Sequence, residues 1–245
     1  MRTPSAIAVV ALLWAGTAPA QEKPASIPPI WAGSFGAGLA ITSGNSNTSN
    51  WNISFKAKRE PATGLILSAD GLLIRGTKDG ELSTDKSLLN SRTELRFANK
   101  SYVFAQTAYL RDTFKSIDYF FAPTAGLSYK FYNEATGTFS VDASVGASWE
   151  KNPEKPVKSR SAMAFGEKFT RALSKNAAVT HGFAGNVVAN DMNNGLYTAS
   201  VGLAASVTTR TQMKVEVLDT YRTTPPLATI DKSDVSTVMS FVVKF

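Results

Sequence analysis

The sequence has no cysteine and only one histidine. Without cysteine no disulfide can stabilise the fold, so packing or a closed hydrogen-bond ladder must do so. One histidine without thiolates also supplies too few ligands for a zinc-type site. Asp79, Glu81 and Asp85 share one acidic stretch, but they lack the ligand spacing of a calcium loop. We therefore expect a solvated loop there, and neither a metal nor a cofactor.

Long apolar runs are also missing. Mean hydropathy is only −0.08, and after residue 20 no run reaches the roughly 18 apolar residues of a membrane-spanning helix. The first twenty residues combine Arg2, a short apolar run and the sequence Ala18-Pro19-Ala20, which are the parts of a secretory signal peptide. This predicts cleavage after Ala20, a proline-rich periplasmic tether at 21–30, and a single domain at 31–245.

Basic residues outnumber acidic ones, 26 to 19. A basic protein can bind nucleic acid when its charges cluster on one face. Here the charges are scattered through the whole sequence, and export removes the chain from nucleic acid. We therefore expect no nucleic-acid partner.

Alternation of apolar and polar residues dominates the rest of the chain. In "TFSVDASVGASWE", Phe139, Val145 and Trp149 share one parity while Asp142 and Glu150 share the other. A period of two sustained over ten or more residues is typical of β-strands. The pattern predicts about twelve strands, with cores at 31–43, 48–59, 65–76, 87–97, 102–111, 118–131, 138–149, 161–173, 177–189, 196–208, 212–222 and 233–245.

Connections between these strands alternate in length. Short turns (60–64, 98–101, 132–137, 174–176 and 209–211) alternate with mostly longer polar loops (77–86, 112–117, 151–160, 190–195 and 223–232), apart from a tight first hairpin at 44–47. Short turns at one end and longer loops at the other are typical of an antiparallel up-and-down barrel in an outer membrane. The alanine-rich strand at 161–173 is the one whose register the pattern fixes least.

Composition indicates which face points outward. The polar faces of several strands carry Ser, Thr and Gly, whereas a water-facing exterior would carry more Lys and Glu. Aromatic residues near strand ends, such as Trp51, Trp149 and Tyr197, match the interfacial girdles of membrane barrels. We therefore predict apolar side chains outside and polar side chains inside. A soluble periplasmic lipid carrier is the alternative that alternation alone leaves open.

The chain from about Trp31 resembles the salt-induced outer-membrane protein family, a group catalogued as a domain of unknown function. The resemblance is carried by "GAGLAITSGNSNTSNWNISFKAKRE", "YVFAQTAYLRDTFKSIDYFFAPTAGLSYKFY", "SVGASWEKN" and "YRTTPPLATIDKSDVSTVMSFVVKF". It implies the outer membrane of a Gram-negative bacterium, contact with outer-membrane lipids, and a link to salt or osmotic stress. It also implies that Phe245 is read by the barrel assembly machinery. It carries no established chemistry.

The positions predicted to face inward include charged side chains of both signs, which are candidates for the lumen lining. Mixed charges of this kind can pair across strands. Side chains fill the interior of an eight-stranded barrel, whereas a sixteen-stranded barrel encloses an open channel. A twelve-stranded barrel lies between the two, so both a plugged, rigid interior and a narrow, mildly cationic pore are compatible with it. The candidates are Lys56, Lys58, Arg92, Glu94, Arg96, Arg111, Asp118, Asp142, Lys214, Glu216 and Arg222.

His181 is the alternative starting point for a function. Its parity with Val179 and Phe183 points outward, where a lipid-acting enzyme of the outer membrane could place a catalytic base. Such a base needs a serine within hydrogen-bond reach, but the residue two positions after His181 is Phe183 and not serine. We therefore predict a non-enzymatic envelope protein with a narrow pore for small solutes or ions, and retain a lipid-acting enzyme with His181 at its site as the rival.

Overall fold

The computed structural model describes residues 31–43, 48–61, 63–78 and 81–245. The predicted signal peptide, the tether and the tight hairpin loop at 44–47 lie outside these residues. Among the described residues, no helix has the length and apolar character needed to cross a bilayer.

Strands dominate the described residues, and one 3₁₀ turn at Thr113–Lys115 interrupts them. The strands are β1 (Trp31–Ser43), β2 (Thr48–Arg59), β3 (Leu65–Lys78), β4 (Glu81–Arg96), β5 (Ser101–Asp112), β6 (Ile117–Glu134), β7 (Gly137–Lys151), β8 (Lys158–Ala172), β9 (Ala177–Val188), β10 (Asp191–Ser206), β11 (Thr211–Arg222) and β12 (Ser233–Lys244).

Each strand pairs antiparallel with its neighbours in sequence, and β1 also pairs with β12. The closing register runs from Ser34 opposite Lys244 to Ser43 opposite Val235. Closure leaves no free strand edge, which is the condition for a sheet to stand in lipid. The predicted twelve-stranded antiparallel barrel is therefore confirmed in the described part of the chain.

The alanine-rich β8 pairs with β7 without a register shift, from Gly137 opposite Arg171 to Glu150 opposite Lys158. The predicted longer loops at 77–86 and 190–195 are wrong, because strands extend into both of them. β3 ends at Lys78 and β4 begins at Glu81, while β9 ends at Val188 and β10 begins at Asp191. These strand tips are polar on both sides, so no apolar row marks them in the sequence. Two connections remain long, 152–157 and 223–232, and the predicted loop after β5 shrinks to the four residues 113–116. All three share one end, which we assign as extracellular because it carries the two long loops.

Large apolar side chains cover the outside of the barrel. Alternate positions of each strand project there, and Leu39, Val145 and Phe241 are each more than half exposed. Ring contacts link outward aromatics of neighbouring strands near the short-turn end, as for Phe131 with Phe139, and towards the long-loop end, as for Phe121 with Trp149. The predicted arrangement of apolar outside and polar inside therefore holds, and the aromatics form two bands as expected for a membrane barrel.

The interior differs from the prediction in one respect. Its extracellular half contains an apolar cluster on the inward faces of β5, β6 and β10, and a smaller one on β3 and β12. Their buried members are Leu110, Ile117, Phe120, Ala122, Leu196, Ile74 and Val238. The barrel is thus partly filled by hydrophobic packing as well as by polar groups.

Candidate functional site: the barrel interior

Most of the predicted lumen residues lie on the inward face, at alternate positions of β2, β4, β7 and β11. Hydrogen bonds across the bore fix this orientation: Nη1 of Arg92 on β4 reaches Asp142 on β7 at 2.9 Å, and Nη2 of Arg222 on β11 reaches Glu150 on β7 at 2.8 Å. Pairing and alternation place the rest on the same face. The inward members are Lys56, Lys58, Arg92, Glu94, Arg96, Asp142, Lys214, Glu216 and Arg222.

Arg111 and Asp118 are exceptions. Arg111 lies on the outward face, where its Nη1 donates to Asp85 at 2.8 Å. The β5–β6 register shifts between Leu110 and Asp112, so one residue of β5 opposes two of β6. This β-bulge turns Ile117 into the interior and leaves Asp118 exposed at its edge. The bulge explains only the placement of Asp118. In β5 the alternation is unbroken, and Arg111 lies between the inward Leu110 and Asp112, so its predicted inward placement is a parity error.

Arg92 is the centre of a buried cluster in the periplasmic half of the interior. Its guanidinium donates to both carboxylate oxygens of Asp142, at 2.9 and 3.0 Å, and its Nε donates to Glu94 at 2.6 Å. The guanidinium carbon also lies 3.6 Å from the ring centroid of Phe104. Lys130 completes the cluster by donating to Glu94 at 2.9 Å. With all five groups paired or stacked, this cluster ties β4 to β7 across the bore.

Lys86 forms a second bridge nearer the extracellular end. Its ammonium, almost fully buried, donates to Thr220 at 2.9 Å and lies 3.4 Å from Asp112 and 3.6 Å from Asp234. These partners belong to β5, β11 and β12, so the side chain crosses the interior from β4 to the far wall. Lys115 follows the same course and donates to the carbonyl of Thr220 at 2.8 Å. We call this group the Lys86 bridge.

The Lys86 bridge was not predicted from the sequence. The sequence pattern places Lys86 in a loop, because the strand tip around it is polar on both faces. The bridge and the apolar cluster beside it fill the centre of the extracellular half. A signal was present in the alternation of Lys86, Leu88, Asn90 and Arg92, which continues the inward row of β4.

The opposite wall, formed by β8, β9 and β10, is lined mainly by small side chains. Inward positions here include Gly166, Gly182, Ala184, Ser200 and Gly202. On β9 the inward positions from residue 178 to residue 186 are all exposed or half-buried. We call these the β9 row: Ala178, Thr180, Gly182, Ala184 and Asn186. Solvent therefore reaches this wall along most of the length of the strand.

Asn186, at the extracellular end of the β9 row, lines a small cleft that is open to solvent. Lys158, Arg160 and Arg222 contribute to the same cleft, with Glu150 as the acidic member. Arg222 is buried, and its Nη1 has no hydrogen-bond partner among the described residues. The extracellular mouth of the row is therefore basic.

Lysines also flank the β9 row in its periplasmic half. Lys168 on β8 is directly opposite Gly182 and is exposed. On the other side Lys214 lies over Gly202, since a Cβ at that glycine would be 3.3 Å from its Cε. Lys214 is 2.7 Å from Glu216, as their neighbouring positions suggested. Lys168 and Arg160 were not among the predicted residues, because the register of the alanine-rich β8 was the least determined by the sequence.

His181 lies on the lipid-facing surface, as its parity predicted. Its Nδ1 is 3.0 Å from Oε1 of Glu167, and its partners in register are Phe169 and Val201. No serine occupies those positions, so among the described residues the rival lipid-acting enzyme lacks a nucleophile beside its base. The described part of the chain also contains no cluster of three acidic or histidine side chains that could hold a metal ion.

Comparison with curated proteins finds no match. Three solved structures share the fold at low identity. A structure described as the NanC porin is 11% identical with a TM-score of 0.57, and the match covers 86% of this chain and all of that one. An outer-membrane channel from Pseudomonas putida F1 is 10% identical with a TM-score of 0.51, covering 90% of this chain and 97% of the other.

The translocator domain of the autotransporter NalP from Neisseria meningitidis is also 10% identical, with a TM-score of 0.50 and 88% of each chain covered. At such identities the likeness establishes the outer-membrane barrel fold alone. A family model matches residues 35–245, which include every strand from the middle of β1 onward. The chain belongs to the family described as "Protein of unknown function, DUF481".

Proposed function

We propose that this protein is a non-enzymatic outer-membrane pore that admits small anions along the β8–β10 wall. The single observation that carries this proposal is the β9 row, whose inward positions are reachable by solvent from the periplasmic turn to Asn186 in the extracellular cleft. A barrel with a fully plugged interior would bury these positions, as it buries Thr124 and Ser128 on β6. The route is narrow and off-centre.

The filled half of the interior accounts for that narrowness. The Lys86 bridge and the apolar cluster around Phe120 occupy the centre of the extracellular half. The Arg92 cluster holds the β4–β7 side in the periplasmic half. The Lys86 bridge and the Arg92 cluster are each paired internally, so they behave as fixed packing. Only the wall of small side chains is left for solutes.

The charges along the route favour anions. Lys168 and Lys214 flank the β9 row on the periplasmic side, while Arg160 and Arg222 line the cleft at the other mouth. Glu216 and Glu150 each offset one of these cations. The remaining positive charge raises the local concentration of anions in a confined, low-dielectric passage.

The test is a conductance measurement on single-cysteine variants, which is possible because the chain has no native cysteine. We expect small, anion-selective steps in planar bilayers. An anionic thiol reagent should reduce the current through Ala184→Cys, because the adduct would project into the route and add a negative charge that repels anions. Thr124→Cys, on the buried wall, is the matched control and should not respond. The absence of any conductance step would overturn the pore and favour a purely structural barrel.

We retain the link with salt or osmotic stress as a part of the proposal that rests on family resemblance alone. It predicts that the amount of protein in the outer membrane rises when the salt concentration of the medium is raised. Quantitative immunoblotting of membrane fractions across a salt series tests this independently of the conductance experiment. An unchanged amount would remove the stress link and leave the pore proposal intact.

A further inference from the structure

The Glu167–His181 pair is a polar pair in an apolar surface. More than a third of each side chain is exposed, on the outside of the barrel. The two residues stand five and four positions from the periplasmic ends of β8 and β9. For strands tilted by about 40°, this corresponds to a depth of about 10–13 Å along the membrane normal.

Aromatic rings enclose the pair on both sides. Towards the extracellular end, Phe165, Phe183 and Tyr197 form a mutual cluster with centroids 6.1–6.2 Å apart. Towards the periplasmic end, Phe169 packs against Phe139 at 6.4 Å. By contrast, the outward charges Arg75 and Asp85 lie near the long-loop end, where Arg75 is opposite Trp51 in register. The pair is therefore within the apolar band, where ionisable side chains facing lipid are unfavourable.

We propose that this surface is the interface between two copies of the chain. Two barrels in one membrane have the same orientation, so a twofold axis that relates them must run along the membrane normal. Such an axis preserves depth and exchanges left with right. It therefore places β8 of each copy opposite β9 of the other, with Glu167 facing His181 of the second copy at the same depth.

This geometry makes the surface complementary to itself. Two separate pairs become one alternating ring of carboxylate, imidazole, carboxylate and imidazole. Each polar group is then removed from lipid, and each carboxylate gains a second imidazole as a hydrogen-bond partner. The surrounding aromatic side chains are of the type that dominates the centres of protein interfaces. Ala199, a small outward residue beside them, leaves room for close approach.

The test is crosslinking of single-cysteine variants in lipid vesicles of defined phosphatidylethanolamine and phosphatidylglycerol composition. Val179→Cys lies beside His181, and Val103→Cys is its matched control: both are outward valines two residues from the periplasmic end of a strand. We expect a short thiol crosslinker to give dimers with Val179→Cys and only monomers with Val103→Cys. Equal crosslinking of the two variants would indicate random collision and overturn the interface.

Charge variants then test the pairing itself, each first checked for folding by its heat-dependent mobility on a gel. Glu167→Lys should lower the dimer fraction, with a dimer dissociation constant about tenfold higher, whereas the double exchange Glu167→His with His181→Glu should restore it. Should Glu167→Lys fail to fold, Glu167→Gln with His181→Gln removes both the carboxylate and the imidazole at nearly constant size. A dimer fraction unchanged by these variants would refute the proposal. A monomer whose bound anionic lipid is lost in the same variants would assign the surface to lipid headgroups instead.

Discussion

Phe245 covers Gly33 at the seam where the barrel closes. The backbone of Gly33 donates to the carbonyl of Phe245 at 3.1 Å, and the backbone of Phe245 donates to the carbonyl of Gly33 at 3.0 Å. The Phe245 ring stacks 5.7 Å from that of Phe35 and occupies the space above the glycine. A Cβ at Gly33 would be 2.3 Å from the ring Cζ, so only glycine allows this ring to rest on the seam.

Gly33→Leu should therefore weaken closure of the barrel. The new side chain must displace the Phe245 ring and its contact with Phe35, and overpacking of this kind costs about 1–3 kcal/mol. Urea-induced unfolding in lipid vesicles, followed by tryptophan fluorescence, measures the loss of stability.

Ala37→Leu is the matched control for this change. Ala37 is another outward, exposed position of β1 at the same seam, opposite Phe241. It should tolerate the added side chain because lipid can accommodate it. Equal stability of the two variants would show that the ring does not depend on the space above Gly33.

Asp142→Ala tests the Arg92 cluster. Arg92 is buried and directs two hydrogen bonds to Asp142, so removing this carboxylate leaves Glu94 alone to compensate both Arg92 and Lys130. The loss of stability should be about 3–5 kcal/mol. The measurement is again the free energy of unfolding in vesicles.

Ser140→Ala serves as the control for Asp142→Ala. Ser140 precedes Asp142 in the inward row of β7 and is only half-buried. Its removal should change stability by about 0.5 kcal/mol or less. If the two variants lose similar amounts of stability, Arg92 does not depend on Asp142 for its compensation.

The alternation of residues was sufficient to predict the barrel, because lipid imposes a simple rule on every membrane-exposed strand. Outward rows such as Val141, Val145 and Trp149 must be apolar, and a period of two follows at once. The prediction of strand bounds fails beyond the membrane-exposed part of a strand, where this rule no longer applies. The strand tips around Lys86 and Asp191 meet polar surroundings on both faces, and the sequence pattern there resembles that of a loop.

The interior was predictable only by parity, not by packing. Arg92, Asp142 and Glu94 share inward parity, but no feature of the sequence indicates that Arg92 on β4 meets Asp142 on β7 with two strands between them. The bulge at the start of β6 turned Asp118 out of the inward row, with no glycine or proline between Ile117 and Phe120 to mark it. Likewise the apolar cluster around Ile117 and Phe120 depends on how side chains of several strands fill one volume.

Lys86→Ser should widen the route through the extracellular half. Its loss removes the side chain that crosses the bore and leaves Asp112 and Asp234 without their shared cation. We expect a higher single-channel conductance together with lower stability. Lys56→Ser, an exposed inward lysine at the periplasmic mouth, is the matched control and should lower or leave unchanged the anion current. A conductance unchanged by Lys86→Ser would mean that the bridge does not limit the passage.

Lys168→Glu should shift the selectivity of the pore from anions toward cations. Lys168 is exposed, faces the interior opposite Gly182 and makes no ion pair with any described residue, so its charge acts directly on solutes in the route. Reversing one charge within about 8 Å of a passing ion changes its energy by roughly 1 kcal/mol in a wet site, or about fivefold in the permeability ratio. The reversal potential in a potassium chloride gradient measures this ratio.

Arg171→Glu is the matched control, because it makes the same charge change on the outward face of β8. It should leave the reversal potential unchanged. Equal shifts in both variants would mean that the charge acts through the surface potential of the whole barrel, not from beside the β9 row.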